Sequence, residues 1–293
     1  MVDARILFDR GLIARRRARA IAAGADAGFL LDAVVADLGD RLAALTRRFE
    51  RALDLGSGGR VARLLATTGV AAATIRADVL AADAAGGGPD IVVDDEAFPF
   101  AEGALDLVVS TLTLQAVNDL PGALVQIRRA LRPDGLFLAA VAGGDTLTEL
   151  RAALIEAEAE ATGGAAPRVA PFADVRALTG LLQRAGFALP VGDVDRLTIR
   201  YDGLFALMAD LRALGATSAL ADRPRRLLRR GVLLRAAEIY AGRFADPDGR
   251  VRATVDVVSL SGWAPHESQP KPARPGSATV RLADVLGPPR KRG

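Results

Sequence analysis

The chain has 293 residues, no cysteine and one histidine, His266. This excludes disulfides, thiolate zinc sites, cysteine nucleophiles and multi-histidine metal sites, and argues against a Ser-His-Asp triad. Its basic residues are nearly all arginine, so a net charge of +3 coexists with a pI near 9.9. With few aromatics and no base-stacking platform, nucleic acid is not an expected partner. No apolar run reaches the roughly 20 residues that cross a bilayer, and the chain reads as a soluble protein of a reducing compartment, cytoplasmic in a bacterium.

In chain order, residues 1–48 form an N-terminal unit, with Ala, Leu and Arg at helical spacing over 11–48 predicting one or two helices. Arg15, Arg16, Arg17 and Arg19 would suit an organelle presequence, but Asp3 and Asp9 argue against one. Strands are expected at 52–55, 73–77, 91–93, 105–111 and 136–142. A helix over 123–131 separates the last two and stops at Arg132-Pro133-Asp134-Gly135. Near-continuous apolar strands alternating with helices predict an α/β fold, a doubly wound parallel sheet covered on both faces. Beyond Gly143 the expected elements are helices at 145–161 and 174–185, a strand or two over 187–199, helices at 204–214 and 225–243, and a strand at 251–263. The helical insertions after strand five read as a lid on a domain covering 49–264. Residues 265–293 read as a Pro/Arg-rich tail, poorly ordered in part.

The chemistry concentrates after strand one. Leu53-Asp54-Leu55-Gly56-Ser57-Gly58-Gly59 turns on glycines into a helix, which exposes backbone N–H groups to a ligand. A dinucleotide fingerprint would need a third glycine where Val61 stands. In an open α/β sheet the ligand lies outside the carboxyl ends of the strands. There Gly56–Gly58 can pass under an amino-acid portion, Asp78 can accept a ribose diol, and Asp94 and Asp95 can accept the exocyclic amine of adenine. Any one of these acids reads more readily as a helix cap or solvated turn; all of them at the right strand ends point to a nucleoside. Residues 110–115 lie where the reacting end of such a ligand meets its substrate. The arginines at 223, 225, 226, 229, 230 and 235 read as a solvated face or as a docking surface for an acidic protein or carrier domain. His266-Glu267-Ser268-Gln269, beside Trp263, is either a tail packed on the sheet or a catalytic group.

Asp54-Leu55-Gly56-Ser57-Gly58 fits the D-x-G-x-G pattern of S-adenosylmethionine-binding methyltransferases. Phe8-Asp9-Arg10, Asp94-Asp95-Glu96-Ala97-Phe98-Pro99-Phe100 and Asp106-Leu107-Val108-Val109-Ser110 resemble many class I methyltransferases, including the carrier-protein methyltransferase of biotin synthesis. Val117-Asn118-Asp119-Leu120-Pro121, the run from Gly143 to Arg151, His266–Gln269 and the run from Arg274 to Val280 resemble the respiratory complex I assembly factor 5 family and its bacterial relatives, from about Phe8 to Val280.

The resemblance implies a seven-stranded, mostly parallel, Rossmann-like sheet with an antiparallel final strand, and S-adenosylmethionine as cofactor. It carries over Asp54, Gly56, Ser57, Gly58, Asp78, Asp94 and Asp95 as cofactor positions, with Ser110 near the methionine end; it assigns no catalytic residue and no metal. For mitochondrial members it implies arginine hydroxylation on a complex I subunit, on the matrix side of the inner membrane, with peripheral membrane association. Two positions depart from the family. Ser57 and Arg60 replace a cysteine and a third glycine, which predicts a long side chain where backbone should approach the ligand. Gln115-Ala116 replaces a His-Trp pair.

Methyl transfer needs little acid–base help, because the sulfonium is already a good leaving group and alignment can supply about 7–11 kcal/mol in favourable intramolecular cases. Hence methyl transfer to an unidentified acceptor is the leading expectation and arginine hydroxylation the alternative, for which the sequence offers no His-based metal triad. A non-catalytic nucleoside-binding assembly protein is the third.

Overall fold

The computed structural model describes residues 6–24, 28–81 and 88–270, so the run from Arg274 to Val280 lies outside the described residues. A seven-stranded sheet runs in the order β3-β2-β1-β4-β5-β7-β6. Its members are β1 (Phe49–Leu55), β2 (Ala71–Asp78), β3 (Ile91–Val92), β4 (Leu105–Thr111), β5 (Leu131–Gly143), β6 (Ala188–Tyr201) and β7 (Val251–Trp263). The first five pair in parallel, and β7 is inserted antiparallel between β5 and β6. This is the expected α/β architecture, with 187–199 resolved as one strand rather than two.

Side-chain alternation divides the core. Along β4 and β5, Val108, Phe137, Ala139 and Val141 face a layer with α4 (Leu120–Ala130) and α6 (Val175–Arg184). Leu107, Val109, Leu136, Leu138 and Ala140 face α2 (Phe29–Ala43) and α3 (Arg60–Thr68) on the other side. A third cluster joins α5 (Thr148–Thr162), α7 (Leu204–Ala213) and α8 (Arg230–Phe244) against the start of β7. With α1 (Arg10–Ala22), these helices stand over the carboxyl edge of the sheet.

Three boundaries move for identifiable reasons. Helix α4 begins at Leu120 because the Asp119 carboxylate caps Gly122 N at 2.9 Å and Pro121 occupies the first turn. Helix α5 begins at Thr148 rather than 145, since Asp145 N and Thr146 Oγ1 bond to Asp256 Oδ2 and O at 3.0 and 3.2 Å. Residues 132–135, expected as a turn between elements, belong to β5, with Asp134 at φ +64°. They form a bulge in it, because Leu131 pairs with Leu105 before Leu136 pairs with Leu107.

Candidate functional site

The strand order reverses at β1, whose neighbours β2 and β4 lead off in opposite directions, so a crevice opens beyond its carboxyl end. The glycine turn lies there. Gly56 has φ +83°, and a Cβ on it would fall 2.1 Å from Thr113 Cγ2, so only glycine fits. Gly58 has φ +62°. Ser57 is fully buried; its hydroxyl donates to Asp54 Oδ2 at 2.5 Å and accepts from Val61 N at 3.0 Å. The Ser57 side chain thus braces the turn and leaves only its backbone to meet a ligand. Burial holds the Asp54 carboxyl above its ordinary range, against the lowering effect of the Ser57 hydroxyl and the Ala62 amide. Its second oxygen, Oδ1, is buried without a hydrogen-bond partner among the described residues. An unsatisfied buried acceptor beside bare glycine backbone suits a cationic or N–H-bearing ligand.

Asp78 ends β2. Its Oδ1 accepts from Leu80 N at 3.0 Å and its Oδ2 from Arg17 Nη2 at 2.9 Å. The structure separates the next two acids. Asp94 is exposed and bonds Glu96 N at 2.9 Å, whereas Asp95 is buried and lines the main cavity. Arg10 reaches Asp94 at 2.7 Å, Asp95 at 3.7 Å and Glu96 at 3.1 Å.

Arg10 and Arg17 were not among the expected site residues. The quoted Phe8-Asp9-Arg10 motif was the available signal, and its partner explains it: Asn118 Oδ1 accepts from Leu7 N and Phe8 N at 2.9 and 2.8 Å. Two motifs far apart in sequence thereby fix the entry of α1 and aim Arg10 at the end of β3.

Arg60 does not project into the site. Its Nε donates to Asp32 Oδ1 at 2.6 Å, which ties α3 to α2, while its Nη1 rests on the outside of the glycine turn, 3.4 Å from Ser57 O. Ser110 is buried, bonded to Thr113 Oγ1 at 3.1 Å, and is not part of the cavity wall; the next residue, Thr111, is. His266 lies at the opposite edge of the sheet. Gln269 Nε2 donates to Asp134 Oδ1 at 3.0 Å, and Trp263 pairs with Leu136 at the start of β5's paired run. Within this segment Gln269 packs on the sheet edge, whereas His266, Glu267 and Ser268 are exposed. Among the described residues no group of His, Cys, Asp and Glu is arranged to hold a metal.

The carboxyl of Asp95 is pushed up to about 6, chiefly by burial and by the like charges of Asp78 and Asp94, against Arg10 and Arg17. Its folded value exceeds the ordinary 3.8, so the unfolded chain loses this proton first as pH rises. Folding then loses stability between about pH 4 and 6, up to roughly 3 kcal/mol, and the penalty stays constant above that window. Asp95→Asn is expected to be about 3 kcal/mol more stable than wild type near pH 7.5, with the gain vanishing below about pH 4. Urea unfolding of both proteins across this range checks it; a pH-independent difference refutes it.

The cavity beyond Gly56 measures about 510 Å³ and runs from α1 and the ends of β3 and β4 to the underside of α5 and α7. A volume of this order suits a small-molecule site. No helix among the described residues is long and apolar enough to cross a membrane.

A methyltransferase-domain family profile matches residues 29–189. The fold is similar to that of YcgJ from Bacillus subtilis, with a TM-score of 0.52 at 16% identity over 78% of this chain and 98% of that one. In sequence the chain is similar to arginine-hydroxylase NDUFAF5, mitochondrial, of Homo sapiens, 41% identical over 90% of this chain and 79% of that protein. The Danio rerio protein of the same name is 36% identical over 95% and 89%. Malonyl-[acyl-carrier protein] O-methyltransferase of Laribacter hongkongensis is 40% identical over 60% of this chain and 56% of its own length. The chain belongs to the methyltransferase-domain family and, within it, to the group that contains arginine-hydroxylase NDUFAF5.

Proposed function

We propose that this protein is an S-adenosylmethionine-dependent methyltransferase. The observation that carries this reading is the meeting of the Gly56–Gly58 turn, the unsatisfied Asp54 oxygen and Asp78 around a small pocket at the switch point, with Gly56 and Asp95 also lining the neighbouring apolar cavity. When bound, the cofactor supplies a methyl group on a sulfonium. The backbone of Gly56–Gly58 would hold its amino-acid end, with Asp54 Oδ1 accepting from the ammonium. Asp78 would take the ribose hydroxyls and Asp95 the adenine amine, with Asp94 behind it. Calorimetric titration with S-adenosylmethionine and S-adenosylhomocysteine tests the cofactor site: micromolar binding of both supports it, and no binding at millimolar ligand overturns it.

Arginine hydroxylation, with a role connected to complex I, is the second reading, favoured by the extent of similarity to the NDUFAF5 proteins. The mass of a modified acceptor separates the two, since methylation adds a CH₂ unit and hydroxylation an oxygen atom.

Protein partners would dock on the arginine segment before α8. Arg223 is engaged with Asp9 at 3.1 Å, and Arg235 with Glu160 at 2.7 Å. The exposed Arg225, Arg226, Arg229 and Arg230 flank Leu227, which is 95% exposed, and Leu228, which lines the cavity. An acidic protein or carrier domain fits this surface. The cofactor site, the lid role of α5, α7 and α8, and a cytoplasmic or matrix location belong to the same proposal.

A further inference from the structure

The buried polar side-chain atoms that lack a hydrogen-bond partner among the described residues are concentrated at the cavity. Thr111 Oγ1, Gln115 Oε1 and Ser218 Oγ belong to residues in its wall. A native fold leaves few such groups unsatisfied, and those that remain call for a ligand or water. Thr111 is 1% exposed. Gln115 Nε2 donates to Leu112 O at 2.6 Å, which fixes the amide: the opposite orientation would set two acceptors against each other. Gln115 Oε1 therefore remains as an acceptor, and only a donor satisfies it. Thr113, between these two residues, abuts Gly56, so this polar spot adjoins the glycine turn.

Away from that spot the wall is aliphatic, formed by Leu150 and Leu154 of α5, Leu207 and Leu211 of α7, and Val255 of β7. Of the ionic groups at the margin, Arg17 is paired with Asp78 at 2.9 Å, Arg168 with Glu158 at 2.6 Å, and Asp210 with the Tyr201 hydroxyl at 2.6 Å, while the Arg212 side chain has no partner among the described residues. An anionic head would meet an acceptor at Gln115, and a bulky charged body would meet leucine.

We propose that this chamber binds an apolar small molecule carrying one hydroxyl or N–H, which donates to Gln115 Oε1, with its body against the leucines of α5 and α7. That this molecule is the methyl acceptor rests on the function proposed above; its binding does not.

The test uses N-phenyl-1-naphthylamine, an apolar fluorophore with a single N–H, titrated into the full-length protein. Saturable fluorescence enhancement is expected. 1-Decanol displaces the probe, and methyl nonyl ether, which lacks the donor, does so about tenfold less well, because it leaves a buried acceptor unsatisfied. In Gln115→Leu the two competitors become equivalent. Leu211→Trp fills the apolar end and weakens probe binding by at least about tenfold. Absence of saturable binding overturns the proposal, as does equal displacement by alcohol and ether in wild type, or wild-type probe affinity in Leu211→Trp. S-adenosylhomocysteine is titrated in parallel. Its binding without the probe overturns the chamber and spares the cofactor reading, whereas probe binding without it upholds the chamber and overturns the cofactor reading.

Discussion

Replacing Asp78 by alanine is expected to weaken S-adenosylhomocysteine binding at least about 100-fold while the protein stays folded. A carboxylate offers about four lone-pair sites. Leu80 N occupies one on Oδ1 and Arg17 one on Oδ2, which leaves each oxygen free to accept one further donor, the requirement of a ribose diol. Loss of the side chain removes both contacts to the ligand and leaves the Arg17 guanidinium unpaired beside the site. Asp78→Asn keeps one acceptor oxygen and should fall between the two. Asp78 stands at the end of β2, where among the described residues its carboxylate bonds Leu80 N and Arg17, so the melting temperature should move little. Calorimetry and a thermal melt on the same samples check both parts. Undiminished affinity in a folded Asp78→Ala protein would mean that the nucleoside lies elsewhere.

The position of this carboxylate was legible in the sequence because it depends on a short local pattern: an apolar strand, then an acid, at the expected interval from a glycine turn. The same holds for Gly56 and Gly58, whose conformations follow from covalent geometry. What escaped the sequence depends on pairing over long separations. Arg60 belongs to the glycine loop, but its direction is set by Asp32, in another helix. Arg10 and Arg17 look like part of a solvated basic helix until the fold brings β2 and β3 beneath them.

Ser110 and Thr111 show a further limit. Successive residues of a strand face opposite sides, so a shift of one position separates a hydroxyl buried in the protein from one in the cavity wall. The fold was more legible than the site, because β4 and β7 repeat their patterns over many residues. A site residue is decided by one side chain and its partner.

Asp106 makes the contrast with Asp78 quantitative. It was noticed in the sequence only as part of a shared motif, yet its carboxylate is 1% exposed and fully engaged. Oδ2 accepts from Glu50 N at 2.6 Å, Oδ1 from Arg51 N at 2.8 Å, and Arg132 Nη2 lies 2.9 Å from Oδ2. One side chain thus ties the start of β1 to β4 and to the bulge of β5, at the edge remote from the ligand. Asp106→Ala would leave two backbone donors without their acceptor and leave Arg132 with Glu50, at 3.2 Å, as its remaining partner. A loss of about 3–4 kcal/mol in unfolding free energy is expected, read as a lower urea midpoint. Below its melting temperature the variant should bind S-adenosylhomocysteine with wild-type affinity, because the glycine turn, Asp78 and Asp95 lie at the other end of the strands. A loss below about 1 kcal/mol, within the range of an ordinary surface change, would show that the three strand starts hold together without this clamp. Reduced ligand affinity at full stability would overturn the division of labour between the two edges.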